Sequence, residues 1–129
     1  MRFQDLFHSP PGVLFAFPNT AYYCDGAYHM GSQTVKCDAR HGSIALESAI
    51  SHSCNTYHCY VFRSIVDQKK YNSTEEGYQA WRNHVLTFGI GKRLFSDLPQ
   101  ELKGNVPSVE YYDKYFGKLG DSWFSSKYI

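Results

Sequence analysis

The chain has 129 residues, 43% hydrophobic and 17% aromatic, which is enough apolar surface to pack the core of one ordinary domain. Its 13 basic and 12 acidic residues leave a net charge of +1, so no basic stripe exists to neutralise a nucleic-acid backbone or an anionic membrane. The longest apolar run, Val13 to Phe17, is far below the roughly 20 residues that a bilayer-spanning helix requires; nor does Met1 open a secretory signal, since no apolar h-region follows Arg2.

Residues 1–18 read as irregular, with a Pro-Pro-Gly turn at 10–12 and Pro18 excluding a helix. Residues 19–42 carry two short Tyr-, Thr- and Val-rich runs around Asp25-Gly26 and Gly31-Ser32, which predicts a small, irregular β-hairpin. Gly42 and Ser43 supply a start signal for a helix over about 44–52, on which Leu46, Ala49 and Ile50 recur at helical spacing. A second helix, Thr56 to Val66, holds Tyr57, Tyr60, Val61 and Ile65 at intervals of three and four, with Ser53 or Asn55 as its cap. In the third, Ser73 and Glu76 form a capping box, Tyr78, Trp81, Val85 and Phe88 form one stripe, and Gly89 and Gly91 end it. Residues 92–129 have many turn residues and little periodicity, and read as loop with short helical turns. The class is α+β, mainly helical, in a single partial domain with its helices between 43 and 91.

Ser53, Cys54 and Asn55 interrupt the most regular apolar segment. Two helices joined there would send Ser53 and Asn55 to one side and Cys54 to the other. The stretch "ALESAISHSCNTYHCYVF", followed by "FGIGKRLFSDLPQELKGNVP", closely resembles the middle of the transpeptidase domain of class B penicillin-binding proteins, especially the elongation-type penicillin-binding protein 2 group. There an SxN motif lies between two helices, followed by a helix ending in an FGxG-like turn and a segment matched by Asp97, Leu98, Pro99, Glu101, Gly104 and Pro107. The resemblance covers about residues 19–128. It implies the central helical subdomain of that fold, with Ser53 relaying a proton between the active-site lysine and the departing group, and Asn55 hydrogen-bonding the bound peptide or that lysine. The plain alternative is that both residues cap the second helix.

Acyl transfer of this kind needs a serine three residues ahead of a lysine, one helical turn away, to yield its proton. No Ser-x-x-Lys occurs in the sequence, and Lys118-Leu119-Gly120 lacks the hydroxyl residue of a K-[ST]-G strand. In the family the nucleophile lies upstream and the K-[ST]-G strand downstream, so the chain looks like the central slice of the domain, and is expected to be inactive alone.

Cys24 and Cys37 could close a hairpin disulfide worth ~3 kcal/mol by loop entropy. Alternatively, Cys24, Cys37, His41 and Cys54 form a Cys3His set suited to tetrahedral zinc. Free buried thiols are the third alternative. Some elongation-type relatives carry zinc near the active site, with a His and the SxN-motif Cys at similar spacing and carboxylates at the positions of Cys24 and Cys37. Cys59 reads as a core thiol and His29 as a substitute ligand, while His52, His58 and His84 read as surface residues. Tyr57, Tyr60, Trp81 and Trp123 read as core and loop anchors, and the Asp97–Glu101 pair as turn residues rather than a glycosidase dyad.

The resemblance implies a parent that cross-links peptidoglycan stem peptides, binds β-lactams, works with the cell-wall elongation machinery and sits on the periplasmic face of the bacterial inner membrane; the 129 residues themselves are expected to hold no signal or anchor. The rival is a non-enzymatic, zinc-stabilised helical binding module.

Overall fold

The structure, a computed structural model, describes residues 19–31, 33–93, 97 and 100–116. The turn at 10–12, the irregular segment 1–18, Leu98, Pro99, Lys118–Gly120 and Trp123 lie outside the described residues. Among the described residues, four helices and two small antiparallel strand pairs give the expected α+β, mainly helical architecture. The chain divides into two compact units between Ile65 and Val66.

In the first unit the strands are β1 (Tyr22–Cys24), β2 (Ala27–Met30), β3 (Gln33–Lys36) and β4 (Gly42–Ile44), followed by α1 (Leu46–Ser51) and α2 (Asn55–Val66), whose last residue, Val66, opens the second unit. β2 and β3 are the hairpin, with Met30 opposite Gln33 and Gly31 at φ 57° opening its turn. Asp25-Gly26 is instead the corner between the two sheets, because β1 pairs with β4, Tyr22 opposite Ile44 and Cys24 opposite Gly42. This corrects the expected start of the first helix. Gly42 and Ser43 belong to a strand, whose ladder with β1 satisfies more backbone groups than a lone cap would. α1 then begins at Leu46, after an extended Ala45 that offers no side-chain cap.

Cys24, Ile44, Ala49, Cys54 and Tyr57 form the buried core of this unit, with Tyr22, Cys37, Leu46 and Val61 packed against it. Aromatic rings tie both strand pairs to α2. Tyr22 stacks on Tyr60 at 5.0 Å and meets Tyr57 edge-on at 5.6 Å, while Tyr28 meets Tyr60 edge-on at 4.8 Å. Such pairs add about 0.5–1.5 kcal/mol each beyond their burial.

In the second unit, α3 spans Thr74–Leu86 and α4 spans Val109–Phe116. The capping box forms with a shift. Ser73 Oγ accepts from the Glu76 amide at 3.2 Å, but the Glu76 carboxylate accepts from the Asn72 backbone and side-chain amides, at 2.9 and 2.8 Å. Gly77 is required where it is, since a Cβ there would overlap the Val66 carbonyl oxygen. Tyr78 is buried, donates to Pro107 O at 2.9 Å and meets Tyr112 of α4 edge-on. Arg82 Nε reaches the carbonyls of Val106 and Pro107, both at 3.0 Å.

Two expectations change here. α3 ends at Leu86, so Phe88, 57% exposed, falls outside the helix instead of closing its stripe, and Gly89 and Gly91 (both φ 90°) shape the turns beyond. The loop-rich tail contains a two-turn helix, α4. Its start follows Pro107 and is capped by Ser108 Oγ, which accepts from the Tyr111 amide at 3.2 Å; packing of Tyr112 on Tyr78, rather than sequence periodicity, holds it. Among the described residues, no helix is long and apolar enough to cross a membrane.

Candidate metal centre beside a serine-led turn

The break between α1 and α2 is a Schellman motif. The Cys54 amide donates to Ala49 O at 2.9 Å and the Ser53 amide to Ile50 O at 3.2 Å, while the residue between helix end and exit, Ser53, sits at φ 49°. That left-handed position is ordinarily glycine's, because a Cβ costs roughly 1–2 kcal/mol there. Ser53 is the one described non-glycine residue with positive φ. A helix end that glycine would make more cheaply thus carries a hydroxyl, and non-glycine strain of this kind concentrates at functional sites.

The turn reverses burial residue by residue. Ser53 and Asn55 are exposed, whereas Cys54 between them is fully buried. Asn55 Nδ2 donates to Lys36 O at 2.8 Å, which ties the start of α2 to the residue before Cys37.

Behind the turn, the Sγ atoms of Cys24, Cys37 and Cys54 and a ring nitrogen of His41 all lie within 4.8 Å of one another, a group that could hold a metal ion. Each arrives from a different element. Cys24 ends β1, Cys37 follows β3, His41 precedes β4, and Cys54 fills the gap between the helices. The β1–β4 ladder, with Cys24 opposite Gly42, brings Cys24 Sγ to 3.5 Å from His41 Nδ1. Cys37 Sγ lies 3.9 Å from Cys54 Sγ. All four cysteines of the chain are free thiols, so the Cys24–Cys37 disulfide is not the arrangement adopted.

Donors converge on the sulfurs. The first turn of α2 presents the Thr56 amide to Cys37 Sγ at 3.2 Å and the Tyr57 amide to Cys54 Sγ at 3.4 Å. These are amides that a helix N-terminus leaves without intrahelical partners, and they favour negative charge on sulfur. On the other side, Asp38 Oδ1 lies 3.5 Å from His41 Nε2, so Nδ1 is the nitrogen turned to the sulfurs.

The two fully buried thiols, Cys24 and Cys54, do not ionise alike. Burial pushes Cys24 up, but hydrogen bonding with Thr56 and with His41 outweighs it and brings the thiol down to about 6. Burial pushes Cys54 up to about 11, against the pull of the Tyr57 amide, because neighbouring Cys24 and Cys37 also disfavour its charge. Of these two, Cys24 is the one that favours its charged form, and a charge there disfavours one on Cys54.

The remaining sequence candidates stand apart. His29 is exposed and pairs with Thr34 Oγ1 at 3.1 Å, outside the cluster. Cys59, half-buried on α2, is pushed up by burial and behaves as a packed thiol. His52 is exposed and bonds back to Ser48 O at 2.8 Å. Tyr57 is buried as expected, but Tyr60 is partly exposed and acts through stacking. Sequence reading missed Thr56 and Asp38. The clue to Asp38 is its place three residues ahead of His41; Thr56 leaves no trace beyond being a polar residue at the start of an apolar helix.

Residues 16–123 match the family model of the penicillin binding protein transpeptidase domain. The match covers most of the chain, which belongs to that family. No curated protein matches it.

Proposed function

We propose that the chain is the central part of a class B, elongation-type transpeptidase domain, and that Ser53-Cys54-Asn55 is its SxN motif. The observation that carries this is the Schellman turn, which leaves Ser53 and Asn55 exposed on either side of a buried Cys54 at a position glycine would fill more cheaply. Ser53 would pass a proton between the active-site lysine and the departing group; Asn55, its Nδ2 held by Lys36 O, keeps Oδ1 to accept from that lysine or the bound peptide. Residues 19–42 serve as the hairpin and metal segment, 43–91 as the helical part and 92–129 as the loop-rich remainder. The parent enzyme would cross-link peptidoglycan stem peptides through a serine acyl-enzyme, bind β-lactams and serve cell-wall elongation at the periplasmic face of the inner membrane.

Cys24, Cys37, His41 and Cys54 are read as ligands of one structural zinc. Tetrahedral Cys3His coordination implies about 3.8 Å between sulfurs and about 3.6 Å between sulfur and nitrogen, from zinc bonds of about 2.3 and 2.0–2.1 Å. The 3.9 Å between Cys37 and Cys54 and the 3.5 Å between Cys24 and His41 support that fit. When bound, the ion closes a four-ligand shell with no open position, so it braces the SxN turn and does not activate water.

Neither Ser-x-x-Lys nor K-[ST]-G occurs in the 129 residues, so these residues alone are expected not to acylate. The test is covalent labelling by a fluorescent penicillin. The 129-residue chain stays unlabelled, and a chain supplied with both motifs in their family positions labels and loses most of that labelling on Ser53→Ala. A supplied chain that folds but fails to label favours the zinc-stabilised binding module instead.

A further inference from the structure

The metal ligands account for four of the polar groups in the buried cluster. A fifth, the hydroxyl of Thr56, belongs to no ligand and has no place in the SxN chemistry. Thr56 is 1% exposed, the single buried polar residue apart from the tyrosine hydroxyls among the described residues. Its Oγ1 lies 3.2 Å from Cys37 Sγ and 3.4 Å from Cys24 Sγ, and its own amide donates to Cys37 as well.

Three thiolates around one dication leave one net negative charge in a site with two fully buried sulfurs. An unbalanced buried charge is costly unless donors face it. Once the thiols have lost their protons to a metal they can only accept, so the Thr56 hydroxyl hydrogen must point at a sulfur. While Cys24 is a thiol it donates to Thr56 Oγ1 at 3.4 Å; once all three sulfurs are ionised the hydroxyl's one hydrogen goes to the nearer of its two sulfurs, Cys37 at 3.2 Å.

Resting on the zinc reading above, we propose that Thr56 is a positioning residue of the metal centre: its hydroxyl donates to the Cys37 thiolate, draws off the charge left after metal binding and makes that sulfur a slower nucleophile. Cys37 needs this most, because it is the half-buried residue of the three, Cys24 and Cys54 being fully buried, and so the one most open to reagents. The α2 amides serve Cys37 and Cys54 whatever the side chain at 56 is, so the hydroxyl's share is separable from theirs.

The test uses the zinc-loaded 129-residue chain. Thr56→Val keeps the shape and the methyl packing while deleting the hydroxyl; Thr56→Ser keeps the hydroxyl and deletes a methyl. Competition against a chromogenic chelator is expected to show zinc held about 10- to 100-fold more weakly in T56V, the usual cost of an outer-sphere partner, and within about threefold of wild type in T56S. Iodoacetamide, mapped by peptide mass, forms a C–S bond with release of iodide; it should reach Cys37 of T56V faster by a similar factor while Cys24 and Cys54 change little. Zinc held as tightly by T56V as by wild type, T56S as weak as T56V, or alkylation rising equally at all three cysteines would overturn the proposal.

If T56V does not fold, the wild-type chain loaded with NMR-active cadmium decides the matter. The Thr56 hydroxyl proton should be protected from exchange and show a coupling to the metal through Cys37 sulfur, and an uncoupled, freely exchanging proton would refute the role. Wild-type chain that takes up neither zinc nor cadmium overturns the metal centre itself, whereas tight wild-type binding with an indifferent T56V overturns only Thr56.

Discussion

The two units solve the same problem, holding a few short elements together, with different chemistry. The first gathers four strands of three or four residues and a six-residue helix around sulfur, hydroxyl and ring contacts, with thiols at the centre of its core. The second sets one 13-residue and one eight-residue helix around Tyr78, whose hydroxyl, with Arg82, is spent on the backbone carbonyls of 106–107. Strands that short are marginal without a further tie. On the proposed zinc reading, stability in the first unit is conditional on the metal, while in the second it follows from packing and hydrogen bonds already made.

The sharpest way to break that contrast is metal removal. A chelator should raise hydrogen exchange through residues 22–57 and leave 74–116 nearly unchanged, since structural zinc contributes on the order of 10 kcal/mol of apparent folding free energy in small sites. Equal loss of protection in both units would erase the distinction. The next effect belongs to the second unit. Gly77→Ala, whose new Cβ would overlap the Val66 carbonyl oxygen, should cost about 3 kcal/mol in denaturant melts, with zinc binding retained.

Two buried tyrosines give a paired comparison. Tyr78 hydroxyl has a partner in Pro107 O, so Tyr78→Phe should lose about 1 kcal/mol. Tyr57 hydroxyl is buried without a hydrogen-bond partner among the described residues, so Tyr57→Phe should be neutral or slightly stabilising in the same melts. Ser53→Gly should gain about 1 kcal/mol by relieving the left-handed strain, while removing the hydroxyl that the proposed relay needs. A stability loss in that variant would mean that the Ser53 side chain does structural duty.

The smallest effect is a pH dependence confined to the start of α3. The Asn72 backbone amide, then its side-chain amide, hold the Glu76 carboxyl below its ordinary 4.5. A carboxyl lowered by folding contributes stability above its unfolded pKa and loses it as pH falls through the folded value. Thermal melts should therefore show wild type above Glu76→Gln near neutrality, the gap closing below about pH 4.5.

How much of this was legible in the sequence follows the same division. α2 and α3 were readable within a residue at their starts, because Ser73, Glu76 and the Tyr57–Ile65 spacing are local signals. β4 was not, since Gly42-Ser43 looks like a helix start until β1 pairs with it. α4 was hidden for the converse reason, that Tyr112 finds its partner on α3, some 34 positions back. The cysteines and His41 could be picked out by residue type, yet their convergence depends on that same unforeseen β1–β4 ladder. Thr56 was invisible because a threonine at a helix start is ordinary, and only its two sulfur contacts distinguish it.

One metal ion, held by Cys24, Cys37, His41 and Cys54, is proposed to brace the Ser53–Asn55 turn from behind. Native mass spectrometry of the 129-residue chain tests it most directly, alongside Cys54→Ser. One zinc per wild-type chain, with none retained by Cys54→Ser, is the predicted result; a metal-free wild type two protons lighter than its sequence, or zinc retained undiminished by Cys54→Ser, would contradict it.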